Sequence, residues 1–251
     1  MSWIAAFSVR PLRRRWRLGV AAGLAVAAMA GFWHRPSAAS ARGGTNPHLL
    51  WYVPTDAKVV ALTFDDGPSP SYTGPILQAL SRAHAQATFF VLGRQVERHP
   101  DWVRREVQAG MEIGNHTWSH INLKYHRPEA IAADVARTQT AIEKAAGVTP
   151  VWMRPPYGAY TMEAVGAVEA LGLKVALWSW TEDSRDWANP GIDAIVSTVV
   201  SHIAPGDIVL FHDGGGNRSE TVAALPIILQ DLHAMGYRFV TLSQLVSYQR
   251  P

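Results

Sequence analysis

Short apolar runs alternate with segments of helical periodicity along the chain from Lys58 onward. Apolar runs bounded by polar, Gly or Pro positions are typical of buried strands, and apolar residues recurring every three or four positions are typical of amphipathic helices. The predicted strands cover residues 59–64, 87–92, 111–114, 151–153, 174–180, 207–211 and 238–242. The predicted helices cover residues 75–85, 101–109, 128–146, 161–171, 192–203 and 221–235. This alternation predicts an α/β fold with a parallel sheet covered by helices.

Two architectures fit the alternating pattern, an open doubly wound sheet and a closed barrel of parallel strands. In both architectures, ligands bind beyond the carboxyl ends of the strands. We therefore expect the residues of a functional site to follow the predicted strands directly, rather than to lie within the predicted helices.

The N-terminal segment has the layout of an export signal. Its basic residues are Arg10, Arg13, Arg14, Arg15 and Arg17. An apolar run at residues 18–33 and then small residues follow them, an order that is typical of a secretory signal. Residues 39–41, Ala-Ser-Ala, offer a cleavage site. Because a membrane-spanning helix needs about 20 apolar residues, the run is also close to the length of an uncleaved anchor.

The pattern therefore predicts three segments. We expect residues 1–41 to be a signal peptide or a membrane anchor, residues 42–57 to be a linker, and residues 58–251 to form the folded domain. The protein is then exported, to the extracellular space or the cell wall, and contacts the membrane only through its N-terminal segment. We expect it to be a monomer.

Composition narrows the possible functions. With 48% hydrophobic and 17% charged residues, the chain falls in the range of ordinary globular proteins. The net charge of +3 comes mainly from the N-terminal arginines, so the folded domain lacks the basic stripe of a nucleic-acid-binding protein. The chain has no cysteine, which excludes both disulfide bonds and thiolate metal ligands. Any metal ion must be bound by His, Asp or Glu.

Two polar clusters directly follow predicted strands. Asp65 and Asp66 come after the first strand, where adjacent carboxylates are costly unless they are paired or bound to a metal. His116 and His120 follow the third strand, and their spacing would place both on one helical face. A histidine pair of this spacing is by itself equally compatible with an ordinary surface pair. Together with the Asp pair, however, it favours a divalent metal site.

Three further clusters also follow strands. Arg154 precedes a rigid Pro-Pro turn that could hold its guanidinium group against Asp65, although an ordinary structural turn has the same sequence. Residues 183–187 form an acidic loop that ends in Trp187, a pattern also found in solvated loops. His212 ends the apolar strand at residues 207–211, where a structural role is the simpler interpretation of a single histidine.

Taken in order, five motifs resemble those of the polysaccharide deacetylases with a NodB homology domain, carbohydrate esterase family 4. The motifs lie at residues 64–68, 116–120, 154–157, 183–187 and 210–212. The resemblance spans residues 58–245 and implies a distorted (β/α) barrel of parallel strands with outer helices. The family includes peptidoglycan N-acetylglucosamine deacetylases, chitin deacetylases and some acetylxylan esterases. The resemblance therefore implies that residues 58–251 are a catalytic domain.

The family resemblance also implies a metal site and a catalytic base. Asp66, His116 and His120 would bind a divalent cation, most often Zn²⁺, although the ligand set also suits Co²⁺ and Ni²⁺. Asp65 would take a proton from the attacking water, and Arg154 would hold it in place. The metal and the backbone N–H of Tyr157 would stabilise the tetrahedral oxyanion.

The remaining motif residues would complete the site. By the same resemblance, His212 would protonate the departing amine, and Asp186 would orient it and raise its basicity. Leu210 and Trp187 would form the walls for the acetyl methyl group and the sugar ring. An amine leaves an amide poorly unless it is protonated, so a complete Asp186–His212 pair fits amide hydrolysis better than ester hydrolysis.

We therefore expect an exported enzyme that releases acetate from the N-acetylglucosamine residues of a polysaccharide. Peptidoglycan is the expected polymer, because export places the enzyme beside the cell wall. The alternatives are a chitin or chitooligosaccharide deacetylase, an acetylxylan esterase, and a glycan-binding module of the same fold without activity. A silent module would be expected to lack a metal ligand or the base, and all of these residues are present.

Overall fold

The computed structural model describes residues 43–44 and 46–250. Its strands β1 to β8 are Leu49–Leu50, Val59–Asp65, Ala87–Val91, Glu112–Asn115, Trp152–Met153, Lys174–Ala176, Ile208–His212 and Arg238–Phe239. Its helices α1 to α8 are Thr73–Arg82, Gly93–Arg98, Pro100–Gln108, Pro128–Ala146, Met162–Glu169, Ile192–His202, Ser219–Ala234 and Leu242–Val246. Short 3₁₀ turns lie at Leu123–Tyr125, Pro156–Gly158, Trp180–Glu182 and Asp186–Ala188.

The strands form one sheet whose two edges meet. Its order is β1-β6-β5-β4-β3-β2-β7, with β8 beside β2, and neighbouring strands pair in parallel. The chain after β6 reaches the opposite edge, where the backbone N–H of Ser179 donates to the carbonyl of Ile208 at 3.0 Å. Isolated bridges join Tyr52 to Asp207 and Asp183 to Leu210. The sheet is therefore a distorted (β/α) barrel, as the sequence motifs imply, and not an open doubly wound sheet.

The two faces of strand β2 pack against different parts of the molecule, the barrel interior and the outer helices. All seven of its residues are buried, as expected for a parallel strand covered on both faces. Leu62 and Phe64 pack into the cluster that the outer helices cover. Val59 and Ala61 pack into a separate inner cluster. Asp65 continues this inner face, so strand alternation alone turns its carboxylate towards the barrel interior.

The amino-terminal end of the barrel is closed by helix α8. Leu242 and Leu245 pack into the inner cluster, and the indole N–H of Trp152 donates to the hydroxyl of Ser243 at 2.9 Å. The backbone N–H of Leu242 donates to the Thr88 hydroxyl at 2.9 Å. Because this end is filled, the carboxyl end of the strands is the open one.

Some predicted elements are confirmed and others are wrong at their ends. Helix α4 has the predicted bounds. The predicted strand at 174–180 ends at Ala176, because the chain beyond it turns to bond the far edge of the barrel. The predicted strand at 238–242 ends at Phe239, because a capping box between Thr241 and Gln244 begins α8. The short helices α2 and α8 were not predicted.

The fold begins before residue 58. The segment predicted as a linker, residues 42–57, contains β1, which pairs with β6. It also contains Val53, which is fully buried and whose backbone N–H donates to the Gly206 carbonyl at 2.8 Å. Leu49, Leu50 and Val53 are too few to give a periodic signal, so only their tertiary contacts identify them as part of the sheet.

The predicted export segment, residues 1–41, lies outside the described residues. Within the described part of the chain, no helix combines the length and the apolar character needed to cross a membrane.

The barrel interior predicts a stability effect at Gly114 in β4. A Cβ atom there would lie 2.5 Å from Cδ1 of the buried Phe90 ring, so Gly114→Ala overpacks the interior. We expect it to lower the free energy of unfolding by about 1–3 kcal/mol in urea denaturation. Gly166→Ala in α5 is the control, because nothing lies within 4 Å of its Cβ position. The control should be stabilising by up to about 1 kcal/mol, and equal effects of both changes would contradict the packing argument.

Candidate active site

A cavity of about 670 Å³ opens at the carboxyl ends of the strands. Eight of the ten predicted site residues line it, namely Asp65, Asp66, His116, His120, Tyr157, Trp187, Leu210 and His212. The other two, Arg154 and Asp186, are buried, and each contacts one of the lining residues. The structure thus brings together residues that five separate strand ends supply.

Asp66, His116 and His120 form a cluster suited to a metal ion. The Oδ1 atom of Asp66 lies 3.6 Å from Nε2 of His116 and 3.3 Å from Nε2 of His120. One ligand atom from each residue fits within 4.8 Å of the others. Asp66 Oδ1 is buried and accepts no hydrogen bond from any residue in the described part of the chain. A buried carboxylate oxygen without a donor is costly unless a cation satisfies it, so these three residues fit a divalent cation.

The two histidines are held in the form that binds metal. His116 Nδ1 lies 2.8 Å from the Arg154 carbonyl, to which it can only donate, so Nε2 carries the free lone pair. Burial lowers the pKa of His116 to about 3, although the charge of Asp66 partly offsets this. Burial likewise lowers the pKa of His120. Both rings are therefore neutral at neutral pH, as metal coordination requires.

The prediction that the histidine pair shares a helical face is wrong. His116 and His120 lie in an irregular loop after β4, where Thr117 has a φ of 68° and His120 a φ of 62°. The Asn115 carboxamide holds this loop, since its oxygen accepts from the Thr117 N–H at 2.8 Å and its nitrogen donates to the Val135 carbonyl at 2.9 Å. Left-handed backbone, rather than helical spacing, makes the two rings converge.

Asp65 is paired with a fully buried Arg154. Nη1 of Arg154 donates to Asp65 Oδ1 at 2.9 Å and to the Thr63 hydroxyl at 2.7 Å, and Nη2 donates to the Leu177 carbonyl at 2.7 Å. Asp65 Oδ2 is left 3.8 Å from Nε2 of His116, on the side of the metal-ligand cluster. Burial raises the pKa of Asp65, and Arg154 offsets only part of the rise. The free oxygen is thus a fixed proton acceptor inside the cavity.

His212, at the end of the neighbouring strand β7, forms a second pair with Asp186. His212 is the register partner of Asp65, and its Nδ1 lies 2.7 Å from Asp186 Oδ1. Asp186 Oδ2 accepts from the backbone N–H of His212 at 2.8 Å and from the Thr221 hydroxyl at 2.7 Å. Burial opposes protonation of His212, but the hydrogen bond and charge of Asp186 prevail, so the pKa of His212 lies above its usual value. With Nδ1 engaged, Nε2 is available to the cavity.

Sequence reasoning missed several residues that support these pairs. Thr221 lies in a predicted helix and gave no signal, yet it fixes Asp186. Asp213 directly follows His212 in the sequence, and its buried carboxylate accepts a hydrogen bond from Thr73. Arg94 and Trp178 also line the cavity. Arg94 and Trp178 line the cavity because of how the segments that carry them are placed in the fold. No local sequence pattern predicts that placement.

The geometry can be compared with known proteins. The polysaccharide deacetylase family model matches residues 52–176. A peptidoglycan-N-acetylglucosamine deacetylase of Bacillus cereus is 45% identical over 203 residues, covering 80% of this chain and 94% of that protein. A chitooligosaccharide deacetylase of Rhizobium leguminosarum bv. trifolii is 39% identical over 201 residues, covering 76% of this chain and 93% of that protein.

A solved structure agrees with these similarities. The crystal structure of the Bc1960 peptidoglycan N-acetylglucosamine deacetylase superposes with a TM-score of 0.76 at 33% identity, covering 81% of this chain and 95% of that one. The resemblance of the five sequence motifs is thereby confirmed. Because the similarity extends along nearly the whole length of these relatives, the chain belongs to the polysaccharide deacetylase family of enzymes.

Proposed function

We propose that this protein hydrolyses the acetamide of N-acetylglucosamine residues in peptidoglycan, releases acetate, and uses a divalent cation, most naturally Zn²⁺. The observation that carries the proposal is the convergence of three groups on one cavity. These are the metal-ligand cluster, the Asp65–Arg154 pair and the His212–Asp186 pair. The 45% identity to a peptidoglycan-N-acetylglucosamine deacetylase supports this choice of substrate.

The cation would be held by Asp66, His116 and His120. When bound there, it supplies Lewis-acid polarisation of the acetamide carbonyl and makes water more acidic. The nitrogen ligands and the single carboxylate suit zinc, and Co²⁺ and Ni²⁺ fit the same set.

Asp65 acts as the general base. Its Oδ1 is held by Arg154, so Oδ2 alone accepts the proton of the water that attacks the carbonyl carbon. The raised pKa of Asp65 favours this role, because a more basic carboxylate accepts a proton more readily. Arg154 is a positioning residue, since it touches the base and is itself fully buried.

His212 acts as the general acid. As the C–N bond breaks, Nε2 donates its proton to the sugar nitrogen, which leaves as the amine while the carbonyl carbon leaves as acetate. Asp186 keeps Nδ1 protonated and stabilises the imidazolium form before the transfer. The backbone N–H of Tyr157 stabilises the oxyanion, and Leu210 and Trp187 form the walls for the acetyl methyl group and the sugar ring.

Export is part of the proposal. An exported enzyme, held by or cleaved from its N-terminal segment, would act on the cell wall outside the membrane. Chitooligosaccharides are the second candidate substrate, because a chitooligosaccharide deacetylase is 39% identical to the chain.

Metal removal is the first test. The purified full-length chain should release acetate from an N-acetylglucosamine oligomer, lose this activity on chelation, and regain it with Zn²⁺ or Co²⁺. His120→Asn should weaken metal binding by at least about tenfold, because one of three protein ligands is altered. Wall fragments and acetylxylan, assayed in parallel, identify the polymer. Failure to bind any divalent cation would refute the mechanism, and binding without acetate release from any substrate would favour a glycan-binding module.

The acid step predicts a change in pH dependence. His212→Ala should lower kcat on an amide substrate by about 10²- to 10⁴-fold, the usual contribution of a general acid. Asp186→Asn removes the charge that raises the pKa of His212. The imidazolium form is then lost at lower pH, so the alkaline limb of the kcat/KM profile should move to lower pH. Asp183→Asn is the control, because Asp183 lines the same cavity but its carboxylate accepts from the backbone N–H of Arg185, at 3.0 Å, and not from His212. An unmoved alkaline limb in Asp186→Asn would refute the assignment.

The turn that carries Asp66 has its own support. Asp66 has a φ of 75°, a left-handed conformation that needs surrounding contacts to persist. The Thr73 hydroxyl accepts from the backbone N–H of Ser69 at 2.8 Å and donates to the carboxylate of Asp213. Gly67 packs so closely on this carboxylate that a Cβ would lie 2.3 Å from its oxygen. Thr73 thus links the backbone of Ser69, just after the turn, to the Asp213 carboxylate against which Gly67 packs.

Thr73→Val removes this hydroxyl at nearly constant volume, and Thr73→Ser keeps it. We expect the valine variant to bind Co²⁺ about tenfold more weakly in a calorimetric titration, because Asp66 is less well oriented. The serine variant should bind like the wild type. If the valine variant is less stable to urea but binds Co²⁺ as tightly as the wild type, Thr73 stabilises the fold and does not orient Asp66.

A further inference from the structure

The cavity has two chemically different sides. The loops that follow β5 and β6 line it with Tyr157, Trp178 and Trp187. The segments that follow β3 and β7 line it with Arg94, in the first turn of α2, and Arg218, directly before α7. Because β3 and β7 flank β2 in the sheet, the two arginines lie on either side of the loop that carries Asp65 and Asp66. An aromatic side suits the faces of sugar rings, whereas a neutral glycan has no negative charge to pair with a cationic side.

Arg94 is a free cation at a fixed position. It lies in the first turn of α2, where its backbone N–H donates to the Trp118 carbonyl at 3.1 Å. Its exposed side chain forms no ion pair or hydrogen bond with any residue that the structure describes. Its charge nevertheless acts on His120. Burial is the main cause of the lowered pKa of His120, and the positive charge of Arg94 lowers this pKa further.

Arg218 adds a second positive charge without a carboxylate partner. Only 4% of its surface is exposed, and Nε and Nη1 donate to the carbonyls of Gly214 and Asn217, each at 2.8 Å. Carbonyl oxygens satisfy these donors but carry no net charge. Among the described residues, Arg218 forms no ion pair. A buried cation without a counter-ion is costly, unless the bound substrate supplies one.

We propose that Arg94, together with the charge of Arg218, binds a carboxylate on the sugar adjoining the one that is deacetylated. The substrate is then an acidic glycan, such as cell-wall glycan without its stem peptides, whose alternate sugars carry a free lactyl carboxylate, rather than neutral chitin. Arginine suits this role because its planar guanidinium group binds carboxylates in a bidentate manner. This inference rests on the proposed deacetylase function, and it identifies Arg94 as a residue that determines specificity.

Three tetrasaccharides test the proposal with the full-length, metal-loaded enzyme. The first is neutral chitotetraose, and the second alternates N-acetylglucosamine with N-acetylmuramic acid that has free lactyl carboxylates. The third is the second with its carboxylates converted to methylamides, which keeps the shape and removes the charge. Acetate release gives kcat/KM for the wild type, Arg94→Gln and Arg94→Glu. Arg98→Gln is the matched control, because Arg98 is an exposed arginine at the end of the same helix and does not line the cavity.

We expect Arg94→Gln to lower the ratio of kcat/KM for the carboxylated over the methylamide tetrasaccharide by about fivefold, mainly through KM, and Arg94→Glu to lower it further. Arg98→Gln should leave the ratio unchanged. The wild-type preference for the carboxylated substrate should also weaken at high salt. Equal losses of activity on all three substrates, or an unchanged ratio, would overturn this inference. If the wild type releases acetate from none of them, the proposed deacetylase function fails as well.

Discussion

The buried ion pair between Arg154 and Asp65 is the interaction on which the rest of the site depends. The guanidinium group of Arg154 lies fully inside the barrel, where it joins the side chains of β2 to the carbonyl of Leu177 beyond β6. The Arg154 backbone carbonyl accepts from the ring of His116. One residue therefore orients both the proposed base and a proposed metal ligand. Removing either charge of the pair would leave the other buried and uncompensated, which is far more costly than an exposed change.

Burial shifts the pKa values of Asp65 and His116 in the directions that the proposed reaction needs. It raises the pKa of Asp65 and lowers the pKa of His116, and so favours a basic carboxylate and a neutral ligand in the same cavity. His212 is the exception, because the hydrogen bond and charge of Asp186 outweigh its burial and raise its pKa. The proposed base and the proposed acid lie on neighbouring strands, and their surroundings shift their pKa values away from those usual for their residue types.

Strained backbone is concentrated at this end of the barrel. Asp66, Thr117, His120 and Tyr157 all have positive φ, and each lies in a loop after a strand. Such conformations persist only where neighbouring contacts hold them, as the Asn115 carboxamide and the Thr73 hydroxyl do here. The strands form a regular frame. The strained backbone that lets the side chains converge lies in the segments that follow them.

The sequence by itself determined the α/β alternation, the parallel sheet, and the placement of Asp65, Asp66 and His212 at the ends of strands, because buried strands and polar strand ends are local patterns. It could not determine that the His116–His120 pair converges through left-handed loop backbone, nor that residues 49–53 belong to the sheet. The partners Thr221 of Asp186 and Thr73 of Asp213 lie 35 and 140 positions away from them. Only the closure of the barrel brings such residues together, because their contacts depend on how loops from different strands meet and no short-range pattern encodes that.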